Sequence, residues 1–127
     1  DHPQQAQMPP GLLTGLADPH LSRTLTALHE SPGEPWSLEQ MAQRAGLSRS
    51  AFAARFKAVV GETPADYLVH WRLTLAQAHL RSGRSLKSIA NELGYANPSA
   101  LSRVFAQKLG VSVRAWLDAR DARDAES

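Results

Sequence analysis

Two short runs, Arg49-Ser50-Ala51-Phe52-Ala53-Ala54 and Asn97-Pro98-Ser99-Ala100-Leu101-Ser102-Arg103, hold the side chains best suited to chemistry, and it is the chemistry of recognition. An arginine presents a planar fork of donors, serine and asparagine both donate and accept, and alanine offers a bare methyl. On an exposed helix face Arg103 could make a bidentate contact to guanine. Ser99 and Ser102 could hydrogen-bond bases or phosphates, and the alanine methyls could touch thymine methyls. A surface ion pair is the alternative for Arg103, and helix capping for the serines. Support for catalysis is thin. The chain has no cysteine, and it carries no GxGxxG run, phosphate-binding loop or serine elbow. His70 and His79 stand nine residues apart, on opposite faces of a helix, without the ligand spacing a metal needs. No cofactor is expected.

The elements that must position these runs are marked at their ends. Asp18-Pro19 starts a helix with Leu21, Leu25 and Leu28 on one face, stopping near Ser31-Pro32-Gly33. Ser37-Leu38-Glu39-Gln40 forms a capping box for a short helix that buries Leu38, Met41, Ala42 and Ala45 and ends at Gly46. Ser48 caps the next, with Phe52, Phe56, Val59 and Val60 inward and Gly61 as its stop. Two short helices joined by a glycine-containing turn have the spacing of a helix-turn-helix. A longer helix follows over residues 63–82, opened by Thr63-Pro64 and closed at Gly83, with apolar stripes on both flanks.

The same pattern then returns at an offset of about 48 residues. Ser85-Leu86 repeats Ser37-Leu38, Ala90 repeats Ala42, Gly94 repeats Gly46, Phe105 repeats Phe56 and Gly110 repeats Gly61. The offset grows by one within the turn, where Asn97-Pro98 starts the helix. Neither copy is large enough to bury a core alone, so the long helix must contribute to both. The expected fold is all-α: two helix-turn-helix subdomains (residues 18–62 and 83–120) joined by the helix at 63–82, about seven helices in all. Residues 1–17 read as an interdomain linker and 121–127 as a disordered acidic tail. In a helix-turn-helix the outward residues at the start of the second helix reach base edges. Here these are Arg49, Ser50, Ala53 and Ala54, then Asn97, Ser99, Ser102 and Arg103. Lys57, Lys108 and the helix starts at Ser37 and Ser85 are placed for phosphates. At roughly 30 Å, the long helix matches the 34 Å between successive major grooves. Trp36, Trp71 and Trp116 read as packing anchors, and Arg72 as one side of a structural ion pair.

Charge agrees with an anionic partner. The chain of 127 residues has a net charge of only +2. Residues 48–114, however, hold ten lysines and arginines against Glu62, Asp66 and Glu92, a net +7. Nothing resembles a signal peptide or a membrane span, and with no cysteine the chain reads as cytoplasmic. A helical protein-interaction module contacting RNA polymerase or another regulator is the competing reading.

The paired units, the Tyr67-Leu68…Trp71-Arg72-Leu73 segment, Ile89-Ala90…Gly94-Tyr95 and Ser102-Arg103-Val104-Phe105…Gly110 together resemble the AraC/XylS family of bacterial transcription regulators. The resemblance covers about residues 18–117. It implies a C-terminal double-stranded DNA-binding domain, RNA polymerase as a further partner, and a small-molecule effector acting only through a missing N-terminal domain. The Pro-rich start fits a linker to such a domain. Ala100-Leu101 and Val113 depart from the family pattern, as do Ala53 and Ala54, where relatives often place polar base-reading side chains.

Overall fold

The computed structural model describes residues 11–126, apart from the side chains at 124 and 126. Among the described residues there are eight helices and no strand. They are α1 (Leu12–Leu16), α2 (Pro19–Glu30), α3 (Leu38–Ala45), α4 (Arg49–Val60), α5 (Pro64–Arg81), α6 (Leu86–Glu92), α7 (Pro98–Leu109) and α8 (Val113–Glu126). The chain divides into two compact units, one ending at Leu75 and the other starting at Ala76, so the boundary falls inside α5.

Local chemistry sets the helix ends. The Asp18 carboxylate accepts from the backbone N–H of His20 and Leu21, and Ser37 with Gln40 completes the expected capping box. Ser48, Ser85 and Asn97 accept from the backbone at Ala51, Ser88 and Ala100 respectively. The two turns share a device. Gly46 and Gly94 sit at φ +73° and +85°, a left-handed backbone that costs glycine little and residues with a Cβ considerably more.

In the first unit Leu21, Leu25 and Leu28 from α2, Met41, Ala42 and Ala45 from α3, and Phe52, Phe56 and Val60 from α4 pack with Tyr67, Leu68 and Trp71 from α5. Phe56 has Phe52 and Tyr67 as ring neighbours, both at 5.6 Å. Buried Thr24 satisfies its hydroxyl on the Met41 carbonyl at 2.7 Å. The second unit buries Ala76, Leu80, Ile89, Ala90, Leu93, Leu101 and Phe105, and Trp116 meets Phe105 edge-on at 5.8 Å.

Two expectations are corrected. Part of the proposed linker, at residues 12–16, is helical and packs against α2 and α4; its Gly15 is buried so closely that a Cβ there would lie 2.5 Å from the Leu25 side chain. This short apolar lead-in raises the helix count among the described residues above seven, while residues 1–10 of the linker lie outside them. Residues 121–126 continue α8 rather than forming a disordered tail, since their alanines and arginines favour helix; residue 127 lies outside the description. Arg72 serves the fold: its guanidinium donates to the carbonyls of Pro32 at 2.7 Å and Glu34 at 2.8 Å.

Candidate nucleic-acid interface

Burial of Phe52 and Phe56 fixes which side of α4 faces outward. Arg49, Ser50, Ala54 and Lys57 are exposed and Ala53 is half-buried. Ser48, Arg49, Ser50 and Ala53 line one open cleft of about 480 Å³ with Leu38, so four of the positions around the start of α4 share a surface. Ala53 also borders an apolar groove of about 450 Å³ with Trp36, Met41 and Leu68 among its walls. A longer polar side chain at Ala53 would meet that groove. Among the described residues, Arg49 and Lys57 have no hydrogen bond or ion pair, whereas Arg55 is held by Asp18 at 2.8 Å. Burial alone would raise the Asp18 carboxyl, but hydrogen bonds from Leu21, Arg55 and His20 keep it below its ordinary value.

In the second unit Leu101 and Phe105 point inward, leaving Ser99 and Arg103 exposed one helical turn apart. Lys108 is exposed in the last turn of α7. Ser102 is half-buried and lines a different cleft with Leu86, Ser112 and Arg114, so it is not grouped with Asn97. The Asn97 side-chain oxygen is engaged as the α7 cap, accepting from Ala100 N–H at 2.8 Å, while its amide NH₂ stays available to donate to a partner. Ser37 and Ser85 are likewise exposed but engaged as caps, at 3.1 Å each.

A further group escaped the sequence reading. Lys87 and Asn91, both exposed on α6, line a cleft of about 490 Å³ with Ser85, Ser88, Tyr95 and Asn97. The repeat could have flagged it, because Lys87 occupies the position of Glu39. The nearby Glu92 is already occupied: Arg84 pairs with it at 2.8 Å and His79 at 3.4 Å. The hydrogen bond from Arg84 holds its carboxyl below the ordinary range, against the opposing effect of burial.

The remaining titratable and aromatic groups serve the fold. His70 faces Glu62 at 3.5 Å, and no group of metal ligands occurs among the described residues. Trp36 donates to the Ser31 carbonyl at 2.8 Å, and Trp71 stacks on His29 at 4.0 Å. None of the three tryptophans lies on the outward faces of α4 or α7.

Residues 41–119 match a protein-family profile described as a helix-turn-helix domain. The chain is similar to an AraC-like transcription regulator of Streptomyces lividans, at 48% identity over 102 residues, covering 80% of this chain and 34% of that protein. It is also similar to the HTH-type transcriptional regulator AlkR of Acinetobacter baylyi, at 39% over 109 residues, 85% of this chain and 36% of that protein. The chain thus spans about a third of the length of the curated relatives it matches. Among solved structures it is similar to the DNA-binding domain of AdpA, a global transcriptional factor crystallised with a target DNA. The TM-score is 0.76 at 32% identity, covering 87% of this chain and 99% of that one.

Proposed function

We propose, from the premise that this chain belongs to the AraC-like helix-turn-helix regulators, that it binds double-stranded DNA sequence-specifically through the outward faces of α4 and α7. Membership places it among transcription regulators rather than enzymes. The observation that carries the reading is a repeated one: each unit caps its second helix, buries one side of it, and leaves polar or basic side chains on the other without internal partners among the described residues. Arg49, Ser50, Ala53 and Ala54 in the first unit, with Asn97, Ser99, Ser102 and Arg103 in the second, are the base-reading candidates. Lys57, Lys108 and the capped starts at Ser37 and Ser85 are the phosphate candidates. Each unit would place its recognition helix in a major groove, the two grooves being successive. The AdpA domain crystallised on its target DNA supports this as an analogy of fold and sequence.

No described helix is long and apolar enough to cross a membrane. A cytoplasmic location follows from the role, as does contact with RNA polymerase; effector sensing would belong to regions that the longer relatives possess and this chain does not span. A mobility-shift titration on duplexes selected from a random library tests the central reading. Binding should fall steeply with salt, because neutralising several phosphates releases condensed counterions, and that release favours binding less as bulk salt rises. Footprinting should show two protected major-groove segments about one turn, roughly 34 Å, apart. A helical interaction module would instead enrich no sequence and shift no duplex at moderate salt.

A further inference from the structure

The first helix of each helix-turn-helix carries two charges five residues apart, and their order is reversed between the units. In α3 Glu39 stands in the first turn and Arg44 in the last. In α6 the matching positions are Lys87 and Glu92. The α3 order suits the helix dipole, which favours anions at the N-terminus and cations at the C-terminus; the α6 order opposes it at both ends. Glu92 has a structural reason for its place, being held by Arg84 and His79. Lys87 has none among the described residues. It is exposed, it disfavours its own helix, and it shares the polar cleft with Asn91 and the capped start of α7 at Asn97. A side chain that breaks a local stability rule without an internal partner marks a functional position.

We propose that Lys87 and Asn91 seat one phosphate of the DNA backbone beside the recognition helix of the second unit, and that Glu39 weakens the matching phosphate contact at the Ser37-capped start of the first. The inference rests on the DNA-binding reading and adds the residues that make the second unit the anchored one. In a helix-turn-helix the first helix crosses the backbone, so a cation at its start, next to the cap of the second helix, lies where a phosphate passes. The Asn91 amide can donate to the same oxygen, and the Lys87 ammonium supplies the charge. No equivalent exists at Glu39, whose carboxylate has no donor to offer.

The test uses the 127-residue chain and one duplex selected by it from a random library. Lys87→Gln should weaken binding about three- to tenfold at moderate salt and reduce the log-log salt slope by about 0.9, with the preferred sequence unchanged. Glu39→Lys should do the reverse, tightening binding and steepening the slope by a similar amount. Because Lys87 opposes the dipole of α6, Lys87→Gln should melt no lower than the unsubstituted chain. Weaker binding with a lower melting temperature would make Lys87 a structural residue and overturn the proposal. Unchanged affinity and slope in both variants, while the unsubstituted chain still binds its duplex, would overturn it and leave the DNA-binding reading standing. If the unsubstituted chain binds no duplex, that reading fails and takes the phosphate seat with it.

Discussion

The two units use the same caps and the same glycine turn, yet they assign their basic side chains to different tasks. In the first unit Arg23 donates to the carbonyls of Arg44 and Ala45, Arg55 pairs with Asp18, and Arg72 holds the carbonyls of Pro32 and Glu34. Arg44 lies over the Trp36 ring at 5.6 Å. Only Arg49 and Lys57 are left without an internal partner among the described residues of that unit. In the second unit Lys87, Arg103, Lys108 and Arg114 are in that position, while Arg84 and Arg81 are engaged by Glu92 and the Trp116 ring. The aromatic residues divide the opposite way. Phe52, Phe56, Tyr67 and Trp71 are all buried in the first core, whereas Phe105 is the one fully buried ring in the second. The difference suggests a division in which the first unit is built for packing and the second for contact with an anion.

The largest effect should come from the cores. Phe56→Ala removes a fully buried ring with two ring neighbours and should cost about 3–5 kcal/mol. Phe105→Ala removes a ring with Trp116 as its one aromatic neighbour, and should cost less by about 1 kcal/mol, the worth of one aromatic pair. Thermal and denaturant melts of both variants compare them directly. If Phe105→Ala is the more damaging, the first unit is not the better packed and the division fails.

Next is Arg103, exposed on α7 with no internal bond among the described residues to lose. Arg103→Ala should weaken binding to the selected duplex by roughly 1–3 kcal/mol and relax one base position under the second unit, at unchanged melting temperature. The first unit, with Ala53 and Ala54 mid-helix, should show the looser base preference. Selection repeated with Arg103→Ala checks this: an unaltered consensus would remove Arg103 from the reading face.

What could be read in advance and what could not follows from range. Caps, glycine turns and helical stripes act over a few residues, so Ser37 with Gln40, Asp18 with Pro19, and the inward Phe52, Phe56, Leu101 and Phe105 were all legible. The +7 of residues 48–114 was legible as a count, but its availability was not. Arg55 meets Asp18 and Arg72 meets Pro32 across 37 and 40 residues of chain, and no local pattern announces such pairs. Asn97 was legible equally as a cap and as a base reader; only the 2.8 Å bond to Ala100 shows where its oxygen goes. The helix at residues 12–16 was missed because its stability comes from packing on α2 and α4 rather than from its own five residues.

The units should also part company in acid. Burial holds His29 neutral, below its ordinary value of 6.5, in a site where it stacks on Trp71 and meets the Tyr67 hydroxyl at 2.6 Å. The unfolded chain therefore binds the extra proton more readily. The contribution from His29 is complete above about pH 6.5 and is lost as pH falls toward its folded value. Glu92 in the second unit lies below its ordinary 4.5, so its contribution is complete above 4.5 and is lost only as pH falls through its lower folded value. Between these values acid should weaken amide protection around Tyr67 and Trp71 before that around Leu101 and Phe105, as hydrogen exchange at pH 7 and pH 5 would show. His29→Gln should remove the difference. Equal loss of protection in both cores would mean that His29 does not set the acid response.

The smallest effect concerns Asn97, where cap and contact must be separated. Asn97→Ala removes both the cap and the amide, so it should lower stability by about 0.5–2 kcal/mol and confuse any binding measurement. Asn97→Ser keeps an oxygen able to accept from Ala100 N–H, and serine caps about as well as asparagine, so stability should change by a few tenths of a kcal/mol at most. What the serine lacks is the NH₂, the donor that the α7 cap does not use, and its shorter side chain reaches less far into the cleft shared with Lys87. If Asn97 serves DNA as well as the fold, Asn97→Ser should melt like the unsubstituted chain yet bind a few-fold more weakly. Should affinity and melting both stay unchanged, Asn97 is a cap and nothing more, and reading by the second unit narrows to Ser99, Ser102 and Arg103, still against only Arg49 and Ser50 as the polar readers of the first.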